Sequence, residues 1–418
     1  MPVIALEEHF TVPELVAKID KAAIAARGFR PRAVPASGPS PLDLAPEIGA
    51  ERLRSMDEAG IDMQVLSNTG PGPDLVPGED GVSLAREMND YLAGVIAGNP
   101  ARFAGFAVLP MMSPAACAPE LVRAVRDLGF CGALINGTTD GRFLDDPCYN
   151  ELLAAAVELD VPIYIHPHLA PAAVRDAYYS GLEPGAGRVL EAAGWGWHSE
   201  TAIHVLRMVL SGALDKHPKL KLIIGHMGEM LPMMMARADE VFSLDIGHLH
   251  RPISQQITDQ VWVTTSGIFT EPPFLAALLT FGIDRLMFSV DYPYAPNAKG
   301  RAFLDRLTLA PADFSIPFNF VRIADLGADT RAGEADVVGV FTAALDVVYR
   351  DVAPFLIVAV QQCIGCAALN DIGQLPGEVV NLLHAGIEAE ATGGDIQVCR
   401  VAAEKDAAIP HPVNGLPA

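Results

Sequence analysis

Val3-Ile4-Ala5-Leu6-Glu7-Glu8-His9-Phe10 begins as an apolar, β-branched run and ends in two carboxylates and an imidazole. Short apolar runs of this kind recur at residues 63–67, 103–110, 130–136, 161–168, 220–228, 261–267 and 286–294. Each reads as a strand. Stretches with helical periodicity lie between them, at 50–59 (closed by Gly60), 84–97, 118–128, 149–159 and 200–214. Strands that alternate with helices imply a parallel sheet. Eight such units imply a sheet closed on itself, an α/β fold of the (β/α)8 TIM-barrel type over residues 1–313.

In such a barrel the chemistry is built at the C-terminal ends of the strands. Polar residues stand there in this sequence: Glu7-Glu8-His9 on the first strand, His166-Pro167-His168 on the fifth, His226 on the sixth and Asp291 on the eighth. The stretch 169–197, with several Gly and Pro and the pair Tyr178-Tyr179, follows the fifth strand and reads as a loop lying over the rim as a lid.

Glu7 and His9 are two apart on a strand, so they point to the same side. With His166 and Asp291 they make two carboxylates and two imidazoles. That donor set suits one first-row divalent ion, Zn²⁺ or Mn²⁺, with room for water or substrate. A lone strand histidine is ordinarily a hydrogen-bonded core residue, and a buried carboxylate is costly unless paired or metal-bound. Four such residues at three strand ends make the ordinary explanation a poor one. His226, in Gly225-His226-Met227-Gly228-Glu229, is a candidate metal ligand or a general acid–base beside the metal. Glu229 could orient it, or could be a carboxylate at a helix N-terminus. His168 alternates to the side of His166 and is a candidate substrate contact. His198, His204, His217, His248 and His250 fall on helices or loops and read as structural or exposed.

The chain has 418 residues and a formal net charge of −22, which disfavours nucleic acid and anionic membrane as partners. The opening Met1-Pro2-Val3-Ile4 has no basic or apolar leader character, and six scattered cysteines do not make a disulfide scaffold. Both features predict a cytoplasmic protein. The lone Cys363-x-x-Cys366 reads as two small buried residues, and the uncharged run 352–369, interrupted by Gln361 and Gln362, as a buried element rather than a membrane span.

Three segments carry a family resemblance: Ala5-Leu6-Glu7-Glu8-His9-Phe10, Ile224-Gly225-His226-Met227-Gly228-Glu229 and Phe288-Ser289-Val290-Asp291-Tyr292-Pro293-Tyr294. Trp195-Gly196-Trp197, Glu200-Thr201-Ala202 and Thr264-Thr265-Ser266-Gly267 fit as well. From residue 3 to about residue 313 the chain resembles the decarboxylases of the amidohydrolase superfamily, such as those acting on γ-resorcylate, 2,3-dihydroxybenzoate and 5-carboxyvanillate. The resemblance implies one divalent metal held by Glu7, His9, His166 and Asp291, with His226 as the catalytic histidine and Glu229 as its partner. It implies that Arg237 reaches the substrate, in some members from the neighbouring subunit, and that the protein is a homodimer or homotetramer. The fourth strand ends Ile135-Asn136-Gly137, without the lysine that bridges two metals in binuclear relatives. The reaction implied is non-oxidative decarboxylation of a small hydroxyaromatic acid, with Asp291 or His226 delivering the proton. The alternative is metal-dependent hydrolysis of an amide, ester or lactone on the same ligands.

Two features depart from the group. His168 stands where several aromatic decarboxylases carry arginine. From Phe314 the text is unrelated, so 314–418 reads as a separate segment of unknown role, either a fused domain or a gene-model artefact, and from about Ala324 onward it is expected to contribute nothing to the chemistry.

Overall fold

A computed structural model describes residues 2–28 and 40–307. The boundary at 313, the segment beyond it, Cys363 and Cys366, and the apolar run 352–369 lie outside the described residues. The described strands are β1 (Ile4–Phe10), β2 (Met63–Asn68), β3 (Phe103–Gly105), β4 (Ala133–Asn136), β5 (Ile163–His166), β6 (Leu222–Ile224), β7 (Val261–Thr264) and β8 (Leu286–Met287). Every neighbouring pair runs parallel, in the orders β1-β2-β3 and β4-β5-β6-β7-β8.

Main-chain contacts join the two sheets at both seams. Ala107 bridges Ala133 in parallel, with Ala107 N donating to Gly132 O at 2.8 Å and Leu134 N to Ala107 O at 3.1 Å. On the other side Leu6 N donates to Phe288 O at 3.2 Å and His9 N to Tyr292 O at 2.6 Å. The eight strands therefore follow one another around a ring in sequence order, as the alternating pattern predicts.

The core has two layers. Ile4, Leu6, Met63, Val65, Phe106, Leu134, Tyr164, Ile223 and Met287 fill the inside of the ring. Ala5, Phe10, Leu66, Ile163, Ile165, Leu222, Ile224 and Val263 face outward and pack under the helices. Several helices coincide with the periodic stretches: Ala50–Ala59, Gly78–Gly98, Pro114–Arg126, Asn150–Leu159 and Gly196–Leu210. The first of these closes on Gly60 at φ 63°, a left-handed turn that suits glycine.

Three expectations need correction. The third to eighth apolar runs are longer than their strands, and in all of these but the fourth the last residues lie past the strand's end. The stretch after β5 is not a plain loop: it contains the helices Ala172–Tyr178 and Pro184–Glu191 before the long helix at Gly196. Glu229 is not at a helix N-terminus. It has φ 53° in the turn after β6, between the 3-10 turns His226–Gly228 and Leu231–Met233, and the next α-helix is Met235–Phe242.

Candidate active site

The site begins with an irregularity in β1. Ala5 pairs with Gln64, and Glu8 pairs with Leu66, so β1 spends one more residue than β2 over this interval. This is a β-bulge. Strict alternation from Ile4 and Leu6, which point inward, would send Glu7 and His9 outward. The extra residue resets the alternation and brings Glu7 and His9 into the ring. Glu8 is thereby turned to the outer side, toward Gln64.

Glu7, His9, His166 and Asp291 each present one ligand atom, all within 4.8 Å of one another. His166 Nε2 is 3.3 Å and His9 Nε2 3.9 Å from Glu7 Oε1, and His9 Nε2 is 3.2 Å from Asp291 Oδ1. Glu7 Oε1 and His9 Nε2 are nevertheless buried atoms without a hydrogen-bond partner. Two buried, unsatisfied polar atoms converging inside the ring would be costly alone. A divalent cation satisfies both, so the four residues fit one such ion.

The remaining atoms of these side chains are tied down. Glu7 Oε2 accepts hydrogen bonds from Tyr164 and Ser266, and from Thr264 Oγ1 at 3.4 Å. His9 Nδ1 faces Ser67 Oγ at 3.2 Å, which fixes the ring while leaving Nε2 inward. Burial pushes the Glu7 carboxyl up, and holds His166 well below its usual range, so His166 is a neutral imidazole fit for coordination. Burial also disfavours charge on His9, but the carboxylates of Asp291 and Glu7 outweigh it and raise its pKa.

Beside the quartet stands a second set. Glu229 Oε1 is 2.8 Å from His226 Nδ1, and Glu229 Oε2 is 2.6 Å from His198 Nδ1. His226 Nε2 lies 3.9 Å from Asp291 Oδ2. Burial opposes charge on His226; Glu229, Glu7 and Asp291 prevail and raise it to about 10. His226 at φ 50° and Asp291 at φ 69° are both left-handed, a conformation that β-carbon crowding makes uncommon and that functional sites often hold. Gly225 precedes His226 for a different reason. A β-carbon there would come 2.8 Å from Glu7 Oε2 and 3.1 Å from the Tyr164 hydroxyl.

His198 is the residue that the sequence reading missed. Its place on a helix reads as structural or exposed, yet from the first turn of the helix Gly196–Leu210 it binds the far oxygen of Glu229. His204 fits its structural assignment, accepting from Leu144 N at 2.8 Å. His168 is buried beside the quartet, its Nδ1 accepting from Leu169 N at 2.7 Å and its ring stacked on Trp197 at 6.5 Å. Burial, with Arg27 and Arg175 adding to it, keeps His168 neutral. Arg237 sits on the exposed helix Met235–Phe242 and pairs with Glu240 at 3.1 Å.

A parallel barrel with a single-ion donor set at its C-terminal rim defines a class, and residues 9–331 match the amidohydrolase family model. The chain belongs to that family. Among its relatives are the decarboxylase orsB of Emericella nidulans, 37% identical over 73% of this chain and 90% of that one, and the γ-resorcylate decarboxylase of Rhodococcus jostii, 37% identical over 74% and 94%. The solved dihydroxybenzoic acid decarboxylase of Polaromonas, which holds manganese and the inhibitor 2-nitroresorcinol, superposes with a TM-score of 0.64 at 31% identity, over 75% of this chain and 93% of that one. The chain is thus an enzyme of the decarboxylase branch of the family.

Proposed function

We infer that this enzyme releases CO₂ from a small hydroxyaromatic carboxylic acid, without oxidation, using one Mn²⁺ or Zn²⁺ ion. The observation that carries the reading is the convergence of Glu7, His9, His166 and Asp291 within 4.8 Å, beside a His226 hydrogen-bonded to buried Glu229. The names of the relatives support decarboxylation over hydrolysis.

In this proposal Glu7, His9, His166 and Asp291 hold the ion. When bound, it would orient an ortho-hydroxy acid and stabilise the negative charge that develops on the ring. The protein must then supply a proton to the ring carbon as its bond to the carboxyl carbon breaks. The electron pair of that bond takes up the proton, and neutral CO₂ leaves. In this reading either Asp291 or His226, whose Nε2 lies 3.9 Å from Asp291 Oδ2, delivers the proton. Glu229 fixes the imidazole through Nδ1, and His198 fixes Glu229. His168 is assigned a substrate contact.

The proposal extends to assembly and setting. Arg237 lies among exposed apolar residues, namely Met233, Met234, Val241, Phe242 and Leu244, which suit a contact with a second copy as homodimer or homotetramer. Arg237 would then serve the site across that contact. Cys117, Cys131 and Cys148 are unpaired, as suits a reducing cytoplasm. No described helix is long and apolar enough to cross a membrane. Residues from about Ala324 onward are assigned no part in the chemistry.

The test is CO₂ release from a panel of hydroxybenzoates by the manganese-loaded protein, run beside ester and lactone hydrolysis. Turnover of an ester or lactone, with no CO₂ from any hydroxybenzoate, would replace decarboxylation by hydrolysis.

A further inference from the structure

The ring of His198 joins the pair His226 and Glu229 to a part of the chain that the chemistry does not otherwise use. Its Nδ1 lies 2.6 Å from Glu229 Oε2, and its Nε2 lies 3.1 Å from the carbonyl oxygen of Ala193. It also meets the ring of His226 edge to face, with centroids 4.7 Å apart. Burial opposes charge on Glu229, but His226 and the bond from His198 prevail and hold its carboxyl low. A carboxylate and a carbonyl oxygen only accept, so each contact calls for a ring N–H of His198. A bond of this kind to a buried carboxylate is charge-assisted and short.

The Ala193 carbonyl is presented by a tight turn. Gly194 N donates to Val189 O at 2.8 Å, and Trp195 N and Trp197 N both donate to Ala192 O, at 3.1 and 3.2 Å. The turn has no room for a side chain at two points. A β-carbon on Gly194 would come 2.6 Å from Val189 O, and one on Gly196 would come 2.3 Å from Glu191 O. Both obstacles are backbone atoms, which cannot rotate aside as a side chain does, so glycine is what lets the chain approach so closely. Val189 and Glu191 belong to the helix Pro184–Glu191, and the turn is thereby fixed to that helix.

We propose that His198 is a positioning residue that ties the turn 192–197 to Glu229 and so passes the placement of that turn on to the His226 imidazole. It acts through Glu229. The proposal rests on the decarboxylase reading in taking His226 as an acid–base group.

The test uses the full-length, manganese-loaded enzyme and two amide variants that separate the two bonds. In His198→Asn the amide nitrogen replaces Nδ1, which keeps a donor for Glu229 and loses the tie to Ala193. In His198→Gln it replaces Nε2, which keeps the tie and loses the donor. His198→Gln should lower kcat about 10- to 100-fold, the range for a hydrogen bond to a charged group, and His198→Asn about 3- to 10-fold, the range for a neutral one. KM and manganese content should not change. Gly194→Ala disturbs only the turn and should resemble His198→Asn. The two combined should cost no more than either alone, because the tie is already gone. Wild-type kcat in His198→Asn or Gly194→Ala, or additive losses in the double variant, would overturn the proposal and leave His198 as a support of Glu229 alone. If Gly194→Ala does not fold, His198→Asn decides. Crystals of Gly194→Ala give a readout that needs no turnover: His198, Glu229 and His226 should shift together, and a shift confined to the turn also overturns the proposal. Failure of the decarboxylase reading is a separate result, seen as no CO₂ from any hydroxybenzoate with the wild-type enzyme.

Discussion

At the scale of single residues, the arrangement asks more of some atoms than residue type alone reveals. Glu229, Glu7 and Asp291 raise the pKa of His226 against the effect of its burial, and its left-handed backbone sets its Nε2 3.9 Å from Asp291 Oδ2. His226→Asn should reduce kcat by roughly 10²- to 10⁴-fold, the usual range for a lost acid–base group. Metal content, read by atomic spectroscopy, should stay at the wild-type level; if kcat stays near normal with metal retained, another group moves the proton. Gly225 gives a second outcome. Its φ of −83° is open to any residue, so strain is not the issue. The methyl group of Gly225→Ala would press on a Glu7 carboxylate that three hydroxyls hold in place. Manganese affinity should fall about 10- to 100-fold, as it does when the support of a ligand is disturbed. Unchanged affinity in a titration would mean that Glu7 can shift freely.

At the scale of elements, β1 is the part whose sequence and structure agree least simply. The two-residue spacing of Glu7 and His9 was legible, and so was their shared side, because a strand repeats every two residues. The bulge before them was not legible. One extra residue in a ladder leaves no mark on composition or periodicity. His166 and Asp291 could be found because polar residues ending apolar runs stand out. His198 could not, because it sits on the helix Gly196–Leu210, away from any strand end, and meets Glu229 only through the tertiary fold. The bulge also explains Glu8, which stood in a family motif without a role. Turned outward, Glu8 accepts from Val290 N at 2.8 Å and Tyr292 N at 3.1 Å, the two amides that flank Asp291. Burial lifts its carboxyl to about 7, with the same amides pulling the other way. Arg52, also buried, bonds the His9 carbonyl and the Gln64 side chain and lies near Glu8. Glu8 thereby staples β1 to the turn after β8, across the seam that closes the ring. In Glu8→Gln one of the two amides loses its acceptor, at a cost on the order of 1–3 kcal/mol. The expected result is a lower thermal midpoint together with weaker manganese binding, because Asp291 loses its anchor. A lower midpoint with wild-type metal affinity would limit Glu8 to fold stability.

At the scale of the whole molecule, the question is whether one chain completes the site. Arg237 does not meet the quartet within its own chain; its guanidinium is on the surface, paired with Glu240. Such an exposed pair contributes little to stability, so its presence does not explain why the arginine is there. The neighbouring surface is more telling. Leu244 is 91% and Met233 69% exposed, with Met234, Val241 and Phe242 between them in sequence. Scattered exposed apolar residues need no account, but several within one short segment mark a contact surface. If that surface joins two copies, removing its apolar character should separate them. Leu244→Asp combined with Met233→Lys is expected to lower the mass measured by light scattering to that of one chain. Activity should fall with it, through a higher KM, while metal content stays unchanged, because every candidate metal ligand belongs to the same chain. Arg237→Ala should raise KM while the assembly stays intact. A double variant that runs as a single chain with wild-type KM would show that the site is complete within one chain and that Arg237 is only a surface residue.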